Sequence, residues 1–344
     1  MRLSVICLLW IGATSCKSEV PLEQRNYSKV EIAPLLQDAL LNVRALEVIL
    51  NRASFFATSD GRTGYIGYAP NDKTAMVKII DTVDYNFRAA ALNSKATFAL
   101  SIESPAVLFK NQNVVYQENH PKAFYDSMDF WNDKEGIAIG DPTDECMSVI
   151  ITRDGGDTWT KLSCDALPKV KEGEAAFAAS DSNIAIVGDH TWVATGGKAS
   201  RILYSPDKGQ TWNVYDTPIV QGIETTGMYS VDFYDEKNGF AIGGDYTKPN
   251  DTLYNKIRTN DGGKTWQLVA NGMPPGYRSC VQYIPNSVGK ELVAVGFKGI
   301  DYSNDSGDSW KRLSDEGFYT IRFLNDSVAY AAGKGRISKL TFRE

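Results

Sequence analysis

The sequence predicts an all-β protein: a seven-bladed β-propeller of four-stranded antiparallel blades, with the last blade closed by an N-terminal strand. Three observations support this prediction. A turn motif recurs four times, short apolar strands recur beside it, and the chain from residue 16 onward divides into seven copies of about 47 residues. A unit of this length is normal for a four-stranded blade, and repetition of one unit is typical of a radial array.

The turn motif has the form Ser/Thr-x-Asp-x-Gly-x-Ser/Thr-Trp, and its aspartates are 53, 54 and 44 residues apart. The aspartate can accept hydrogen bonds from its own turn, and the glycine supplies a positive φ. The tryptophan packs its ring at the start of the next strand. We therefore interpret the motif residues as structural; they are Asp154 and Trp159, Asp207 and Trp212, Asp261 and Trp266, and Asp305 and Trp310.

The second strand of each copy is a continuous apolar run that ends near glycine, as at Gly136–Gly140, at residues 184–188 and at Leu292–Gly296. Such a run is typical of a strand buried on both faces. The last copy has only three strands, and residues 29–33 supply its fourth, which leaves no open seam. Residues 35–41 fit either a short helix or a turn.

The N-terminus reads as a secretory signal, with a positive start, an apolar run over residues 3–11 and small residues before Cys16. The run is far shorter than the roughly 20 residues that span a bilayer. The segment resembles a bacterial lipoprotein box, which implies cleavage before Cys16 and lipidation there; an ordinary signal peptide cut nearby is the alternative. The predicted divisions are a signal peptide (1–15), a tether (16–28) and the propeller (29–344). The predicted location is the outer membrane, facing the periplasm or the cell surface.

Cysteine positions are informative for a chain outside the cytoplasm, where a disulfide persists. Cys146 and Cys164 lie at similar distances from the turn at Asp154, so they should face each other across two strands. We predict a disulfide between them; the alternative is two buried thiols. Cys280 lies in an apolar strand and is predicted to be an inert core residue.

Composition excludes several function classes. Asp and Glu outnumber Lys and Arg by 42 to 36, which argues against a nucleic-acid partner bound by a basic face. The two histidines are isolated, and no zinc, redox, P-loop, serine-hydrolase or dinucleotide motif occurs. We predict neither a metal nor a cofactor.

The four turns resemble the Asp-box, or bacterial neuraminidase repeat, of β-propellers. With its copy number and N-terminal closure, the chain resembles the photosystem II stability/assembly factor family, and more closely the bacteroidete envelope lipoproteins that carry this domain. The resemblance implies a non-enzymatic assembly factor that holds a membrane-protein intermediate. We carry over only the binding role, so the expected partner is an envelope protein or a glycan, and the expected state is a monomer.

Candidate ligand-binding residues come from the predicted start of each innermost strand, where the copies converge on one mouth. They are Arg44, Arg88, Asp126, Glu174, Tyr229, Arg278 and Tyr319. Loops on the same predicted face add Asp141, His190 and Asp245. These side chains form either an anion-capable binding site or a wet channel in which opposite charges neutralise each other.

An enzymatic alternative uses the same residues. Sialidases share the Asp-box and use three arginines, a tyrosine with a glutamate, and an acidic aspartate. Arg44, Arg88 and Arg278 fit the arginine triad, which grips a carboxylate. Tyr229 or Tyr319 with Glu174, and Asp126, fit the remaining roles. The sequence lacks the Phe-Arg-Ile-Pro segment of sialidases, and sialidases have six blades, so we favour the binding role.

Overall fold

The computed structural model describes residues 25–49, 53–68 and 75–344. These residues form strands almost throughout, with one 3-10 turn at Cys164–Ala166. The first strands are β1 (Lys29–Ile49), β2 (Ala53–Thr58), β3 (Arg62–Tyr68), β4 (Ala75–Thr82), β5 (Phe87–Leu92), β6 (Thr97–Ser101), β7 (Ala106–Lys110), β8 (Asn113–Glu118), β9 (Tyr125–Phe130), β10 (Gly136–Gly140), β11 (Ser148–Thr152), β12 (Thr160–Lys161), β13 (Glu174–Ala175) and β14 (Ile184–Val187). The others are β15 (His190–Ala194), β16 (Gly196–Gly197), β17 (Arg201–Ser205), β18 (Asn213–Asp216), β19 (Thr226–Phe233), β20 (Gly239–Asp245), β21 (Lys256–Thr259), β22 (Gln267–Leu268), β23 (Cys280–Tyr283), β24 (Leu292–Gly296), β25 (Gly299–Ser303), β26 (Lys311–Ser314), β27 (Thr320–Phe323) and β28 (Val328–Arg343).

The strands form six sheets around a common axis, so the prediction of seven blades is wrong. Inner strands contact one another in a closed ring that runs from β1 through β5, β9, β14, β19, β23 and β27 back to β1. The first and last predicted units are not separate blades, because β1 runs through both and joins them in the sheet β27-β28-β1-β2-β3-β4.

Strand β1 pairs with two partners along its length. Its first part, including residues 29–33, pairs with residues 339–343 of β28, and its last part pairs with β2. The register shifts between Gln37 and Asn42, where the strand passes from one partner to the other. Residues 35–41, for which the sequence allowed a helix or a turn, belong to this irregular strand.

The predicted signal peptide, Cys16 and residues 16–24 of the tether lie outside the described residues. Residues 25–28 are not a free linker. Tyr27 is buried in a core cluster with Tyr302 and Phe342, and its hydroxyl donates to the carbonyl of Asp326 at 2.8 Å. In the described part of the chain, no helix has the length and apolarity needed to cross a membrane.

The fourth repeat is shifted by one strand from the predicted alignment. Glu174 was placed at the start of an innermost strand, but it lies in β13 and pairs with Gly197. The apolar run Ile184–Val187, predicted as a second strand, is the first strand of the sheet β14-β15-β17-β18. The shift arises because residues 176–183 cross the centre of the ring before β14 begins.

The four motif turns share one hydrogen-bond pattern. In the second copy, Oδ1 of Asp207 accepts the Thr211 N–H at 2.8 Å, and Oδ2 accepts the Thr211 hydroxyl at 2.7 Å. Asp154 makes the same pair of bonds with Thr158, and despite partial burial these bonds lower the pKa of its carboxyl to about 2. The aspartates are therefore committed to their own turns.

The predicted disulfide is confirmed. Cys146 and Cys164 are bonded, with their Cα atoms 5.4 Å apart. Cys280 is a free, buried thiol among apolar neighbours, as predicted. The motif tryptophans pack between sheets: Trp159, for example, lies edge-on to Phe98 and Phe130. Each such buried aromatic ring contributes about 1.5–3 kcal/mol of transfer free energy.

Candidate functional site

Residues 176–183, here called the central segment, close the channel. The Ser180 hydroxyl donates to the carbonyl of Ser279, the residue directly before β23. Asp181 accepts the backbone N–H groups of Ala90 in β5 and Met128 in β9, at 2.7 and 3.1 Å. Because the segment is bonded to strands around the ring, it separates the channel into two cavities.

The larger cavity, here called the rim cavity, has a volume of about 500 Å³. It opens on the rim face, where inner strands begin and where the turn between β24 and β25 places Phe297. The motif turns lie at the other end of the strands, on the repeat-turn face. The rim cavity is lined by Arg44, Arg88, Ile102, Phe124, Asp141, residues 175–179, Glu224, Tyr229, Tyr246, Tyr277, Phe297 and Tyr319.

Five candidates from the sequence meet in the rim cavity: Arg44, Arg88, Asp141, Tyr229 and Tyr319. Arg44 donates from Nη1 to the carbonyl of Ala179 at 2.8 Å, and its guanidinium lies 4.0 Å from the ring centroid of Tyr319. Arg88 donates to the side-chain oxygen of Asn86 at 3.0 Å and to the carbonyl of Ala178 at 3.4 Å. All three acceptors are neutral oxygens.

The two arginines remain cations. Burial lowers the pKa of Arg44, and burial together with the charge of Arg44 lowers the pKa of Arg88 to about 10. Nε of Arg44 is buried and has no hydrogen-bond partner. A guanidinium bonded only to neutral groups retains unused capacity for an anion, since its strongest partners are carboxylates and phosphates.

One wall of the cavity is aromatic. The rings of Phe177 and Tyr229 are stacked with centroids 3.9 Å apart, and Tyr277 meets Tyr229 edge-on at 4.8 Å. The Tyr229 hydroxyl donates to the carbonyl of Thr225 at 2.9 Å. Burial raises the pKa of both tyrosines, so both stay neutral and the wall is an uncharged platform.

Two predicted carboxyls lie in or next to the rim cavity. Asp141 lines the cavity and accepts the Ala176 N–H at 2.8 Å; burial raises the pKa of its carboxyl to about 6. Asp126 is completely buried and does not line the cavity. Neither of its carboxyl oxygens has a hydrogen-bond partner within bonding geometry. Burial and the charge of Asp141 raise its pKa well above the ordinary value, and the nearby Ala178 N–H and Arg88 offset this only in part.

Glu174 and Arg278, both predicted for the ligand site, are instead held in buried ion pairs. Oε2 of Glu174 lies 2.5 Å from Nη2 of Arg201, and Oε1 accepts a hydrogen bond from the Thr195 hydroxyl at 2.7 Å. Arg278 meets Asp301 at 2.5 Å, and neither side chain has significant exposure. Neither residue lines the rim cavity.

The last two candidates lie elsewhere. His190 is on the repeat-turn face, because its neighbour Thr191 pairs with Ser205, which begins a motif turn. A ring nitrogen of His190 lies 2.6 Å from the Tyr204 hydroxyl. Asp245 is on the rim face, but its carboxylate accepts the N–H and hydroxyl of Thr247 within its own loop.

Sequence reasoning missed most of the aromatic wall. Tyr277 directly precedes the candidate ligand-binding residue Arg278, and Phe297 directly follows the glycine that ends a second strand. These positions border the rim in other copies as well, so the spacing carried a signal. Nothing in the sequence shows that Phe177 belongs to a segment that crosses the channel.

Exposed apolar side chains are most numerous on the rim face. Within the described ranges, twelve large apolar residues are exposed, and seven of them lie on the rim face. These seven are Leu40, Ile223, Tyr246, Leu253, Tyr254, Met273 and Phe297. Apolar surface concentrated on one face is typical of an interaction site.

The smaller cavity lies beyond the central segment and has a volume of about 170 Å³. Its charged lining is Glu47, Asp129, Asp181, Asp232 and Arg322. Arg322 pairs with Glu47 at 2.8 Å and also donates to the carbonyl of Asp181. Among the residues that the structure describes, no group of three His, Cys, Asp or Glu side chains is arranged to hold a metal ion.

The sequence matches no protein-family model and no curated protein. Solved structures are similar in shape. A structure of YCF48 bound to D1 peptide has a TM-score of 0.63 at 12% identity, over 93% of this chain and 99% of that chain. This chain folds as a β-propeller.

Two further propellers match at similar levels. YCF48 from Cyanidioschyzon merolae has a TM-score of 0.62 at 10% identity, over 92% of this chain and 99% of that chain. The WD40 β-propeller domain of Doa1 has a TM-score of 0.62 at 11% identity, over 92% and 98%. At these identities the likeness shows the fold alone. The predicted resemblance to photosystem II assembly factors is thus supported at the level of the propeller.

Proposed function

We propose that this protein is a non-enzymatic scaffold that holds a segment of a protein partner on the rim face. The observation that carries the proposal is the pairing of Arg44 and Arg88, which donate only to neutral oxygens, with an aromatic wall in one open cavity. An acidic group of the partner fits the arginines, and its apolar side chains fit the aromatic wall and the exposed apolar residues around it. The peptide bound to YCF48, a protein of the same fold, supports this proposal.

The proposed setting is the bacterial envelope. The lipoprotein-box resemblance at Cys16 supports a lipid anchor, and the motif turns resemble Asp-boxes. On this proposal the mature protein is a monomer tethered through its N-terminal lipid, in the outer membrane and facing the periplasm or the cell surface. These assignments rest on the sequence.

The sialidase-like alternative is weaker than the binding role. With six sheets, the blade count no longer argues against it, so the side chains decide. Arg278 is neutralised by Asp301, and Glu174 by Arg201, which removes both the third arginine and the predicted glutamate from the set that this alternative requires.

A glycan is a second candidate ligand, because Tyr246 and Phe297 are both partly exposed beside the cavity. Flat aromatic faces pack well against the apolar faces of sugars. The arginine pair favours a partner with acidic groups, which proteins supply more generally.

Affinity capture tests the proposal. The tagged protein is crosslinked in its native envelope, and both proteins and glycans in the eluate are identified. The matched variants are Arg44→Ala, in the cavity, and Arg153→Ala, a partly exposed arginine on the repeat-turn face. We expect one protein to be captured by the wild type and by Arg153→Ala, and at least tenfold less by Arg44→Ala. Equal capture by the two variants, or a glycan alone in the eluate, would contradict the proposal.

A further inference from the structure

Arg25, the first residue that the structure describes, is held on the propeller by a set of hydrogen bonds, here called the clamp. Its Nε donates to Glu291 at 2.7 Å, and Nη2 donates to the carbonyl of Pro285 at 3.1 Å. The Arg25 carbonyl accepts the Tyr302 hydroxyl at 2.8 Å and the Asn304 side-chain amide at 3.3 Å. With a buried glutamate and bonds from both its side chain and its backbone, Arg25 has a fixed position on the propeller.

The clamp lies on the repeat-turn face. Asn304 is part of the fourth motif turn, directly before Asp305. Glu291 ends the connection between β23 and β24, and Asp326, which pairs with Arg25 at 3.2 Å, lies in the connection between β27 and β28. Both connections join a first strand to a second strand, and these are at the opposite end of the sheets from the rim cavity.

We propose that the repeat-turn face is turned toward the membrane and that the rim cavity opens away from it. This orientation rests on the proposed lipid anchor at Cys16. It assigns the exposed apolar residues of the rim face to a protein segment and not to the lipid surface, which would otherwise be a natural occupant for them.

The length of chain between the anchor and the clamp supports this orientation. Cys16 and Arg25 are nine residues apart, so the chain between them spans at most about 30 Å when fully extended. Strand β1 runs from Lys29, beside the clamp, to the rim face, and at about 3.3 Å per residue the stretch to Gln37 already covers roughly 25 Å. To bring the rim face to the membrane, almost the whole tether would have to lie straight along the outer wall.

The orientation limits the partner. A segment that reaches the rim cavity must stand clear of the bilayer by roughly the height of the propeller. It belongs to a soluble domain, a long loop or a terminal extension of an envelope protein. A helix end at the lipid surface would meet the repeat-turn face instead.

Energy transfer to lipid headgroups tests the orientation. The full-length protein is produced in a host that lipidates it and is placed in phosphatidylethanolamine and phosphatidylglycerol vesicles that carry a headgroup acceptor. The same donor dye is attached to Val288→Cys, on the repeat-turn face, or to Leu253→Cys, on the rim face; both side chains are about half exposed, and Cys280 is buried. We expect at least twofold higher transfer efficiency from position 288. Equal transfer, or higher transfer from position 253, would overturn the orientation.

Two controls separate the steps. Cys16→Ser should abolish transfer from both positions; a variant that still binds vesicles would overturn the lipid anchor. Arg25→Ala should leave the two efficiencies nearly unchanged, because the backbone carbonyl at position 25 and the buried Tyr27 still hold the chain on the repeat-turn face. Capture of the partner by the unlabelled wild-type protein in detergent is measured in parallel, so that a failure of the binding function is seen independently of the orientation.

Discussion

Arg278 and Asp301 form an ion pair in which Nη2 and Oδ2 are 2.5 Å apart and both side chains are almost completely buried. Asp301 also accepts Arg312 at 2.8 Å. Arg278 lies two residues before β23, and Asp301 belongs to β25. This buried position makes Arg278 a structural residue rather than a ligand-binding one.

Loss of this arginine should therefore lower stability. Arg278→Ala leaves a buried carboxylate paired with the partly exposed Arg312, with Lys256 as the other nearby cation. Breaking a buried pair costs about 3–5 kcal/mol. We expect chemical denaturation to show a loss of this order for Arg278→Ala. Arg44→Ala, in the open cavity, should cost less than about 1 kcal/mol. A small loss for both variants would show that the pair contributes little.

The aromatic rim should affect binding without affecting the fold. Tyr246 is about half exposed and only touches the rings of Tyr229 and Tyr277 at centroid distances near 6.5 Å. We expect Tyr246→Ala to keep the wild-type melting temperature and to lose partner capture several-fold. Val114→Ala, which removes an exposed apolar side chain from the outer wall, is the matched control and should bind normally.

Three buried carboxyls should each contribute stability that is lost as pH rises from about 4 to 7. Burial raises the pKa of Asp141 to about 6 and that of Asp129 and Asp232 to about 7. Because these folded-state values lie above the unfolded value near 4, the folded protein binds more protons, and the resulting stability is complete below pH 4 and is lost as these groups ionise.

The free energy of unfolding at pH 5 and pH 8 measures this effect. We expect the wild type to be more stable at pH 5, and Asp129→Asn to reduce the difference between the two pH values by on the order of 1–4 kcal/mol. Asp129 suits the substitution because its carboxylate accepts a hydrogen bond from the Phe130 N–H. The side-chain amide oxygen of asparagine can accept the same bond. An unchanged pH dependence would show that Asp129 ionises without cost.

The disulfide should stabilise the chain in an oxidising compartment. Cys146 and Cys164 are separated by 18 residues, and closing a loop of this length contributes about 3 kcal/mol. We expect the double variant Cys146→Ala and Cys164→Ala to unfold at lower denaturant concentration, and a reducing agent to change the wild type but not the variant. A reducing agent that destabilises both would indicate an effect away from this bond.

The sequence predicted the features that depend on local chemistry. The motif turns and the disulfide follow from residue types at fixed spacing, and the structure contains both. The predicted blade number was wrong because the sequence does not reveal that β1 is continuous between the first and last units.

Two binding-site assignments failed for another reason. Glu174 and Arg278 meet partners 27 and 23 residues away, and no local pattern identifies such pairs. His190 was placed on the wrong face because residues 176–183, rich in alanine and serine, resemble a strand and turn as much as a segment across the channel. Once that segment is assigned to the channel, the strands of the fourth repeat move by one.

The central segment also affects how the protein unfolds. Repeat arrays in which each unit contacts only its neighbours lose their units one after another. Here Asp181 is hydrogen-bonded to β5 and β9, and Ser180 is hydrogen-bonded to the residue directly before β23. Strands on opposite sides of the ring therefore share one set of hydrogen bonds. No single sheet can detach without breaking that shared set, and the ring should therefore melt as one cooperative unit.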